Sequence, residues 1–149
     1  MKIVIVGAGF GGLRLARKLN NKPGIEVVLI DRFNHHQFQP LFYQVATAAL
    51  NGSDISFPLR KVFHNSKNVS VRLAELSQIN AADNTVVTSE GNFAYDQLVI
   101  ATGADTNFFG NSNFEKFAWP MKSTVEAMEI RNHILKNFEA ALMEADVLH

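Results

Sequence analysis

The chain has 149 residues, 47% of them hydrophobic, which is enough for one compact domain and argues against intrinsic disorder. Its 14 Lys and Arg residues balance 14 Asp and Glu residues, so the basic excess typical of nucleic-acid binding is missing and we expect no nucleic-acid partner. The chain has no cysteine, which excludes disulfides, thiolate zinc sites and redox thiol pairs within it.

The first 31 residues predict a strand, a helix and a second strand. Lys2–Val6 is a short β-branched run, typical of a strand that is buried on both faces. After a glycine-rich turn, apolar residues recur at helical spacing up to Leu19, and the sequence NNKPG at 20–24 ends this helix. Glu26–Asp31 predicts another buried strand. This order is a βαβ unit, and it places the chain among the open α/β sheets of Rossmann type.

The rest of the chain predicts a β-hairpin excursion, further strands and one long helix. The predicted elements are a turn at 51–54, a short helix at 58–63, strands at 69–76 and 97–101, a hairpin at 85–95 and a loop at 105–120. Ser123 and Glu126 fit a capping box at the start of the long helix, which carries an apolar stripe over more than five turns.

The turn after the first strand contains the pattern G-x-G-x-x-G at Gly7, Gly9 and Gly12. In a dinucleotide site the first glycine allows the tight turn, the second lets the backbone approach a pyrophosphate, and the third allows the helix to pack closely on the strand. Asp31 ends the next strand 19 residues after Gly12, where a carboxylate accepts hydrogen bonds from ribose hydroxyls and repels a 2′-phosphate. The context predicts a site for NAD or FAD rather than NADP; the alternative is a glycine turn needed only for packing.

The segment 33–50, FNHHQFQPLFYQVATAAL, is too apolar for a solvated loop and too interrupted for a regular strand or helix. By its spacing alone, the part over 41–50 is interpreted as a buried helix with Phe42 and Val45 in the core. The adjacent His35 and His36 do not share a helix face and have no acid or cysteine at ligand spacing. We therefore predict no metal site and place this pair in a loop near the nucleotide.

A second signal lies where the strand at 97–101 runs into Ala101, Thr102 and Gly103, small residues that let the backbone pass close to a bulky group. Together with the glycine turn it resembles the FAD domain of the flavoproteins that have two dinucleotide-binding domains. Within that group the chain resembles the type II NADH dehydrogenases, which are single-subunit NADH:quinone oxidoreductases. The resemblance rests on FQPLFYQVATAAL (38–50), ISFPLRKVF (55–63), YDQLVIATGADTNFFG (95–110) and IRNHILKNFEAA (130–141).

The resemblance implies a set of residues that bind FAD. These are Gly7, Gly9, Phe10, Gly11, Gly12, Asp31, Arg32, Gln39, Pro40, Leu76, Ala101, Thr102 and Gly103. It places Arg32 beside the adenine, Gln39 and Pro40 near the flavin ring, and Tyr43 and Gln44 on the quinone side. It nominates no catalytic acid or base in this chain and no metal ligand.

The resemblance also implies the organisation of the full-length protein. Residues 1–110 would be the first part of an FAD-binding domain, and 111–149 a connecting loop and amphipathic helix that lead toward an NADH-binding domain outside this chain. NADH would reduce FAD, and FAD would reduce a membrane quinone. The full-length protein would be peripheral on the cytoplasmic face of the inner membrane, docked through a C-terminal region absent from this chain, with a homodimer as one assembly. The isolated chain would be inactive.

The alternatives are a sulfide:quinone reductase, a ferredoxin- or disulfide-type reductase, or a non-catalytic nucleotide-binding fragment.

Overall fold

A computed structural model describes residues 1–144, which divide into two compact units. The first, here called the sheet unit, comprises Met1–His36 and Phe57–Ala104. The second, the helical unit, comprises Gln37–Ser56 and the described residues from Asp105 onward. In the described part of the chain, no helix combines the length and the apolar character that crossing a membrane requires.

The sheet unit contains most of the strands. Its elements are β1 (Lys2–Val6), α1 (Phe10–Leu19), β2 (Glu26–Asp31), α3 (Leu59–Val62), β5 (Val69–Leu73), β6 (Leu76–Asn80), β7 (Thr85–Thr88), β8 (Gly91–Ala94) and β9 (Gln97–Ile100). The strands β3 (His35–Gln37) and β4 (Ser56–Pro58) lie where the chain passes from this unit into the helical unit and back. The predicted bounds of the first two strands are confirmed.

Four strands form a parallel sheet in the order β5-β2-β1-β9. Along β1, successive side chains point to opposite faces, as the pleat requires. Ile5 packs on one face with Leu13 and Ala16 of α1, whereas Val4 packs on the other face in a cluster that includes Val86 of β7. Both faces of the sheet are therefore covered, which is why its strands are almost continuously apolar. The predicted α/β fold of Rossmann type is confirmed.

The prediction of one strand over 69–76 is wrong, because the chain turns after β5. The N–H of Ala74 donates to the carbonyl oxygen of Asp31 at 2.9 Å, and the N–H of Glu75 donates to Oγ of Ser89 at 3.1 Å. These contacts redirect the backbone into β6, which pairs antiparallel with β7. The predicted hairpin is confirmed as β7 and β8, and β6 adds a third strand to it.

Asn68 holds the turn between α1 and β2. Its Nδ2 donates to the carbonyl oxygens of Leu19 and Ile25, each at 3.0 Å, and its Oδ1 accepts from the N–H of Asn21 at 2.6 Å. We expect Asn68→Ala to lower the free energy of unfolding by about 2 kcal/mol, because two partly buried carbonyl oxygens and one exposed N–H lose their partner. Denaturant titration measures this loss. The exposed Asn92 in β8 is the control, and an equal loss for Asn92→Ala would contradict the explanation.

The helical unit is built from short helices and one long one. Its elements are a 3-10 helix (Gln39–Leu41), α2 (Phe42–Ala46), a second 3-10 helix (Gly52–Ile55), α4 (Ser112–Phe117) and α5 (Thr124–Met143). Its core consists of Phe42, Val45, Ala46, Ile55 and Ala127. The predicted turn at 51–54 is thus a 3-10 helix, and the predicted loop at 105–120 contains α4.

Two helices of this unit begin at side-chain caps. Oδ1 of Asn111 accepts from two backbone N–H groups at the start of α4, which the sequence pattern did not reveal. The predicted capping box of α5 is confirmed: Oγ of Ser123 accepts from the N–H of Glu126 at 3.2 Å, and Oε2 of Glu126 accepts from the N–H of Ser123 at 2.8 Å. Much of the predicted apolar stripe is exposed, with Phe138 at 67% and Leu142 at 79%.

Candidate functional site

The two sequence motifs meet at one edge of the parallel sheet. The strand order reverses at β1, because β2 pairs with one side of it and β9 with the other. Open α/β sheets bind ligands outside the carboxyl ends of the strands at such a reversal. The glycine turn leaves the carboxyl end of β1, and Ala101 leaves the carboxyl end of β9. The N–H of Ala101 donates to the carbonyl oxygen of Val6 at 2.7 Å, so the structure brings the two motifs together.

Two glycines of the turn are required by the packing of the chain itself. Gly7 has a φ of +99°, and a Cβ atom there would lie 2.3 Å from the carbonyl oxygen of Ala101. A Cβ atom on Gly12 would lie 1.8 Å from the carbonyl oxygen of Gly7. A larger residue at either position would collide with backbone, which cannot rotate out of the way. These glycines account for the shape of the turn and the closeness of α1 to β1.

The other two glycines of the turn are not required by the fold. Gly9 has ordinary backbone angles, and an added Cβ atom would have no neighbour within 4 Å. A Cβ atom on Gly11 would have one neighbour, Cβ of Ala101, at 4.0 Å. Glycine within a helix lowers the stability by about 0.5–1 kcal/mol relative to alanine. The packing around Gly11 does not explain why this position is not alanine. Open space beside the backbone at both positions favours the approach of a ligand.

The start of α1 has the features of an anion site. No side chain caps it at Gly9, and its first turn contains no acidic residue. The first bond of the helix runs from the N–H of Leu13 to the carbonyl oxygen of Gly9 at 3.0 Å. The amides of Gly11 and Gly12, which precede Leu13, therefore stand at the positive end of the helix without i−4 partners within it. Such amides bind phosphate groups, so the turn fits the pyrophosphate of a dinucleotide.

Asp31 is tied to the glycine turn. Its Oδ2 accepts from the N–H of Ala8 at 2.6 Å, and its Oδ1 accepts from the N–H of Phe33 at 2.7 Å. A carboxylate has about four acceptor positions, so these two bonds leave capacity for ribose hydroxyls. The role of Asp31 toward a ribose stays a prediction. The bond to Ala8 was not foreseen, because the motif specifies the spacing of the acid and not its protein contacts.

The remaining predicted residues of the sheet unit differ in their surroundings. Arg32 is exposed, and its guanidinium lies 5.2 Å from the centre of the Phe33 ring. Thr102 and Gly103 are exposed, and Gly103 has a φ of +75°. Leu76 packs partly buried against the cluster of the sheet unit that contains Val86. Its place in the core explains an apolar residue there, and its contact with a cofactor stays a prediction.

The prediction that His35 and His36 lie in a loop is wrong, since both belong to β3. His36 is buried, and its Nδ1 lies 3.0 Å from the carbonyl oxygen of Ala8. A carbonyl oxygen only accepts, so Nδ1 carries a hydrogen and donates it. The ring of Phe10 packs edge-on against the imidazole, with centroids 5.2 Å apart. The sequence pattern missed this contact, which joins residues 28 positions apart.

The residues predicted to lie near the flavin and the quinone belong to the helical unit. Gln39 and Pro40 are exposed in the first 3-10 helix, and Nε2 of Gln39 donates to the carbonyl oxygen of Lys122 at 3.5 Å. Tyr43 is 54% exposed in α2, and its hydroxyl oxygen accepts from Nε2 of Gln44 at 3.0 Å. Gln39, Tyr43 and Gln44 thus carry uncharged polar side chains, and Pro40 beside them is exposed and apolar. Their ligand contacts stay predictions.

Phe42 and Val45 are fully buried in the core of the helical unit, so their interpretation as core residues is confirmed. The predicted helix over 41–50 is shorter than expected, because α2 ends in a Schellman motif. The N–H of Ala49 donates to the carbonyl oxygen of Gln44 at 2.8 Å, and that of Ala48 donates to the carbonyl oxygen of Val45 at 3.1 Å. Ala48 adopts the left-handed conformation, with a φ of +61°.

Ala48 occupies a position that suits glycine. We expect Ala48→Gly to raise the free energy of unfolding by about 0.5–1 kcal/mol, because the steric cost of a Cβ atom in the left-handed region exceeds the extra chain entropy of glycine. Thermal or denaturant unfolding measures this change. Ala49 is the matched control, since its φ is not positive, and Ala49→Gly should leave the stability unchanged or lower. A stabilisation by both variants would contradict the explanation.

Comparisons with known proteins agree with this geometry. A sequence model of the family described as pyridine nucleotide-disulphide oxidoreductase matches residues 1–142. The type II NADH:quinone oxidoreductase Ndh of Mycobacterium tuberculosis is 41% identical over 149 residues, which cover 97% of this chain and 32% of that protein. The structure of NDH2 from Plasmodium falciparum in complex with NADH superposes with a TM-score of 0.85 at 26% identity, over 99% of this chain and 31% of that chain.

A second solved structure is similar to nearly the same extent. The sulfide:quinone oxidoreductase of Aquifex aeolicus gives a TM-score of 0.83 at 28% identity, over 93% of this chain and 32% of that chain. The chain spans about a third of the length of the curated relatives it matches. The resemblance to type II NADH dehydrogenases that the sequence motifs indicated is confirmed. With a family match over almost its whole length, the chain belongs to the pyridine nucleotide-disulphide oxidoreductase family.

Proposed function

We propose that this chain is the FAD-binding part of an NADH:quinone oxidoreductase. One observation carries the proposal: the glycine turn and Ala101 meet where the strand order reverses. Gly9 and Gly11, which the packing of the fold does not require, lie in that turn. The 41% identity to a protein named as a type II NADH:quinone oxidoreductase supports NADH and quinone as the substrates of the full-length protein.

In the sheet unit, backbone amides bind the pyrophosphate of FAD. The amides that start α1 are the donors, and the exposed Gly9 leaves room for the phosphates. Asp31 accepts from the adenosine ribose, since its carboxylate retains acceptor capacity beside the glycine turn. Arg32 lies beside the adenine. Thr102 and Gly103 are exposed after the carboxyl end of β9, where small residues admit a close approach.

In the helical unit, we assign Gln39 and Pro40 to the flavin and Tyr43 and Gln44 to the quinone side. The support is their position at the surface of that unit and their lack of fixed charge. Gln44 holds the hydroxyl of Tyr43 in place, so the two side chains offer a quinone oriented polar groups. When bound, FAD supplies a centre that accepts hydride from NADH and passes electrons on to a quinone.

For the full-length protein we propose the organisation that the resemblance implies. Residues 1–110 belong to the FAD-binding domain, and 111–149 lead toward an NADH-binding domain. A C-terminal region outside this chain docks the protein on the cytoplasmic face of the inner membrane, and two copies form a homodimer. Cross-linking, gel filtration and sedimentation with vesicles of inner-membrane composition test the assembly and the docking.

The function is tested on the purified full-length protein. The bound flavin, released by denaturation and separated by chromatography, should be FAD. NADH oxidation followed at 340 nm should then depend on an added soluble quinone. A protein that contains FMN or no flavin contradicts the assignment of the cofactor. Reduction of the quinone by sulfide in the absence of NADH would favour the sulfide:quinone reductases and overturn the assignment of the substrate.

A further inference from the structure

Both polar groups of Ala8, inside the dinucleotide turn, are held by side chains from outside that turn. Its N–H donates to Oδ2 of Asp31 at 2.6 Å, and its carbonyl oxygen accepts from Nδ1 of His36 at 3.0 Å. Ala8 itself is buried, so neither group can turn to bulk water instead. The imidazole is also buried, and Phe10 packs edge-on against it. The ring orientation that makes the bond is therefore fixed by packing.

The bond to His36 sets the direction of one amide. The carbonyl group of Ala8 and the N–H of Gly9 belong to the same peptide unit, which is planar and trans, so the two bonds point in opposite directions. Since the carbonyl oxygen points toward His36, the N–H of Gly9 points away from it. Gly9 is exposed, and there is open space beside its Cα atom. A rotation of this peptide unit would withdraw the amide from the surface.

We propose that His36 is a positioning residue for the dinucleotide. By donating to Ala8 it holds the N–H of Gly9 in the orientation that binds the pyrophosphate, without touching the ligand. The proposal rests on the proposed function, because it concerns the same turn. It gives a role to a histidine that is not part of the glycine motif or its acid. The role depends on the hydrogen on Nδ1, which makes the bond to Ala8, and not on the charge of the ring.

The test compares side chains that differ in one donor. Asparagine places its Nδ2 the same number of bonds from the backbone as Nδ1 of histidine, whereas leucine has nearly the same shape as asparagine and no donor. His36→Gln moves the amide one bond further out. His64 is the matched control, because its Nδ1 also donates to a carbonyl oxygen, that of Lys61 at 2.9 Å, on the exposed surface.

The measurement is the Kd of FAD, and of ADP as a competitor, for apoprotein prepared from the full-length protein. We expect His36→Leu and His36→Gln to weaken both ligands about tenfold or more, the effect of misaligning one hydrogen bond to a charged group. For His36→Asn, both Kd values should stay within about threefold of those of the wild type. For His64→Leu, both Kd values should equal those of the wild type. The unfolding temperature of each apoprotein is recorded in parallel, since a role in stability alone would change that temperature and leave both Kd values unchanged.

Each outcome of these measurements supports or overturns the role proposed for His36. Wild-type affinities in His36→Leu and His36→Gln overturn the inference and leave the proposed function intact. Equal losses in His36→Asn and His36→Leu also overturn it, because the ring rather than the donor would then be needed. If His36→Leu does not fold, the pair of His36→Asn and His36→Gln gives the same decision. A wild-type apoprotein that binds neither FAD nor ADP overturns the inference together with the proposed function.

Discussion

Gly12→Ala is expected to destabilise the sheet unit by about 3 kcal/mol, at the upper end for an overpacked site. The new Cβ atom would lie 1.8 Å from the carbonyl oxygen of Gly7 and 3.2 Å from Cγ2 of Ile5. The first of these is a backbone atom, so α1 would have to move away from β1. That movement would expose Leu13 and Ala16, which are buried between the helix and the sheet. Denaturant unfolding followed by far-UV circular dichroism measures the loss.

Gly11, the preceding residue, is the matched control for this prediction. A Cβ atom there meets one atom at 4.0 Å, an ordinary contact, and alanine is the better helix former by about 0.5–1 kcal/mol. Gly11→Ala should therefore leave the free energy of unfolding unchanged or raise it. If both variants lose stability equally, the closeness of Gly12 to Gly7 is not the cause.

Gly9→Ala is expected to retain the fold and lose the dinucleotide. Beyond Gly9 and its two chain neighbours, no atom lies within 4 Å of the position of the new Cβ, so the stability of the apoprotein should change by less than about 1 kcal/mol. A methyl group at the start of α1 would stand where we propose that the pyrophosphate approaches the backbone. We expect the Kd of FAD to rise about 100-fold, which corresponds to roughly 2.7 kcal/mol.

Flavin absorbance per mole of purified full-length Gly9→Ala protein checks this expectation, followed by titration of its apoprotein with FAD. The unfolding temperature of the same apoprotein shows whether the fold is retained. A variant that keeps the stability and the flavin content of the wild type would mean that Gly9 does not face the ligand. Comparison with Gly12→Ala then separates the two uses of glycine in one turn, packing at Gly12 and ligand approach at Gly9.

The parts of the fold that the sequence predicted are those determined by nearby residues. The β-branched run of β1, the helical spacing of α1 and the capping box at Ser123 each act within a few positions, and each element appears where it was predicted. The break between β5 and β6 was missed because distant groups determine it: the carbonyl oxygen of Asp31 and the side chain of Ser89. The cap of α4 at Asn111 is local but was hidden in a stretch rich in Asn, Phe and Gly.

The same distinction holds for the candidate site. The glycine turn and the segment at Ala101 were each recognisable as motifs, but their meeting depends on the pairing of β1 with β9, whose register joins Ile3 to Gln97. The contact of His36 with Ala8 depends on the path of the chain between β2 and β3 and on burial of the ring. No spacing rule encodes such a contact. The sequence therefore indicated the positions of the glycines and of Asp31, but not the long-range contacts that Ala8 makes with Asp31 and His36.

The two hydrogen bonds of Asp31 have a consequence for the thermodynamics of binding. Because amides at Ala8 and Phe33 hold its two oxygens separately, the carboxylate loses its rotational freedom when the chain folds. A flexible side chain that is ordered only on association reduces affinity by about 0.5–1.5 kcal/mol. Here that loss of freedom occurs when the chain folds, so a ribose bound as we propose would meet an acceptor at Asp31 that is already oriented. In the proposed site, discrimination between nucleotides at Asp31 would then depend on a carboxylate that is oriented before the ligand binds.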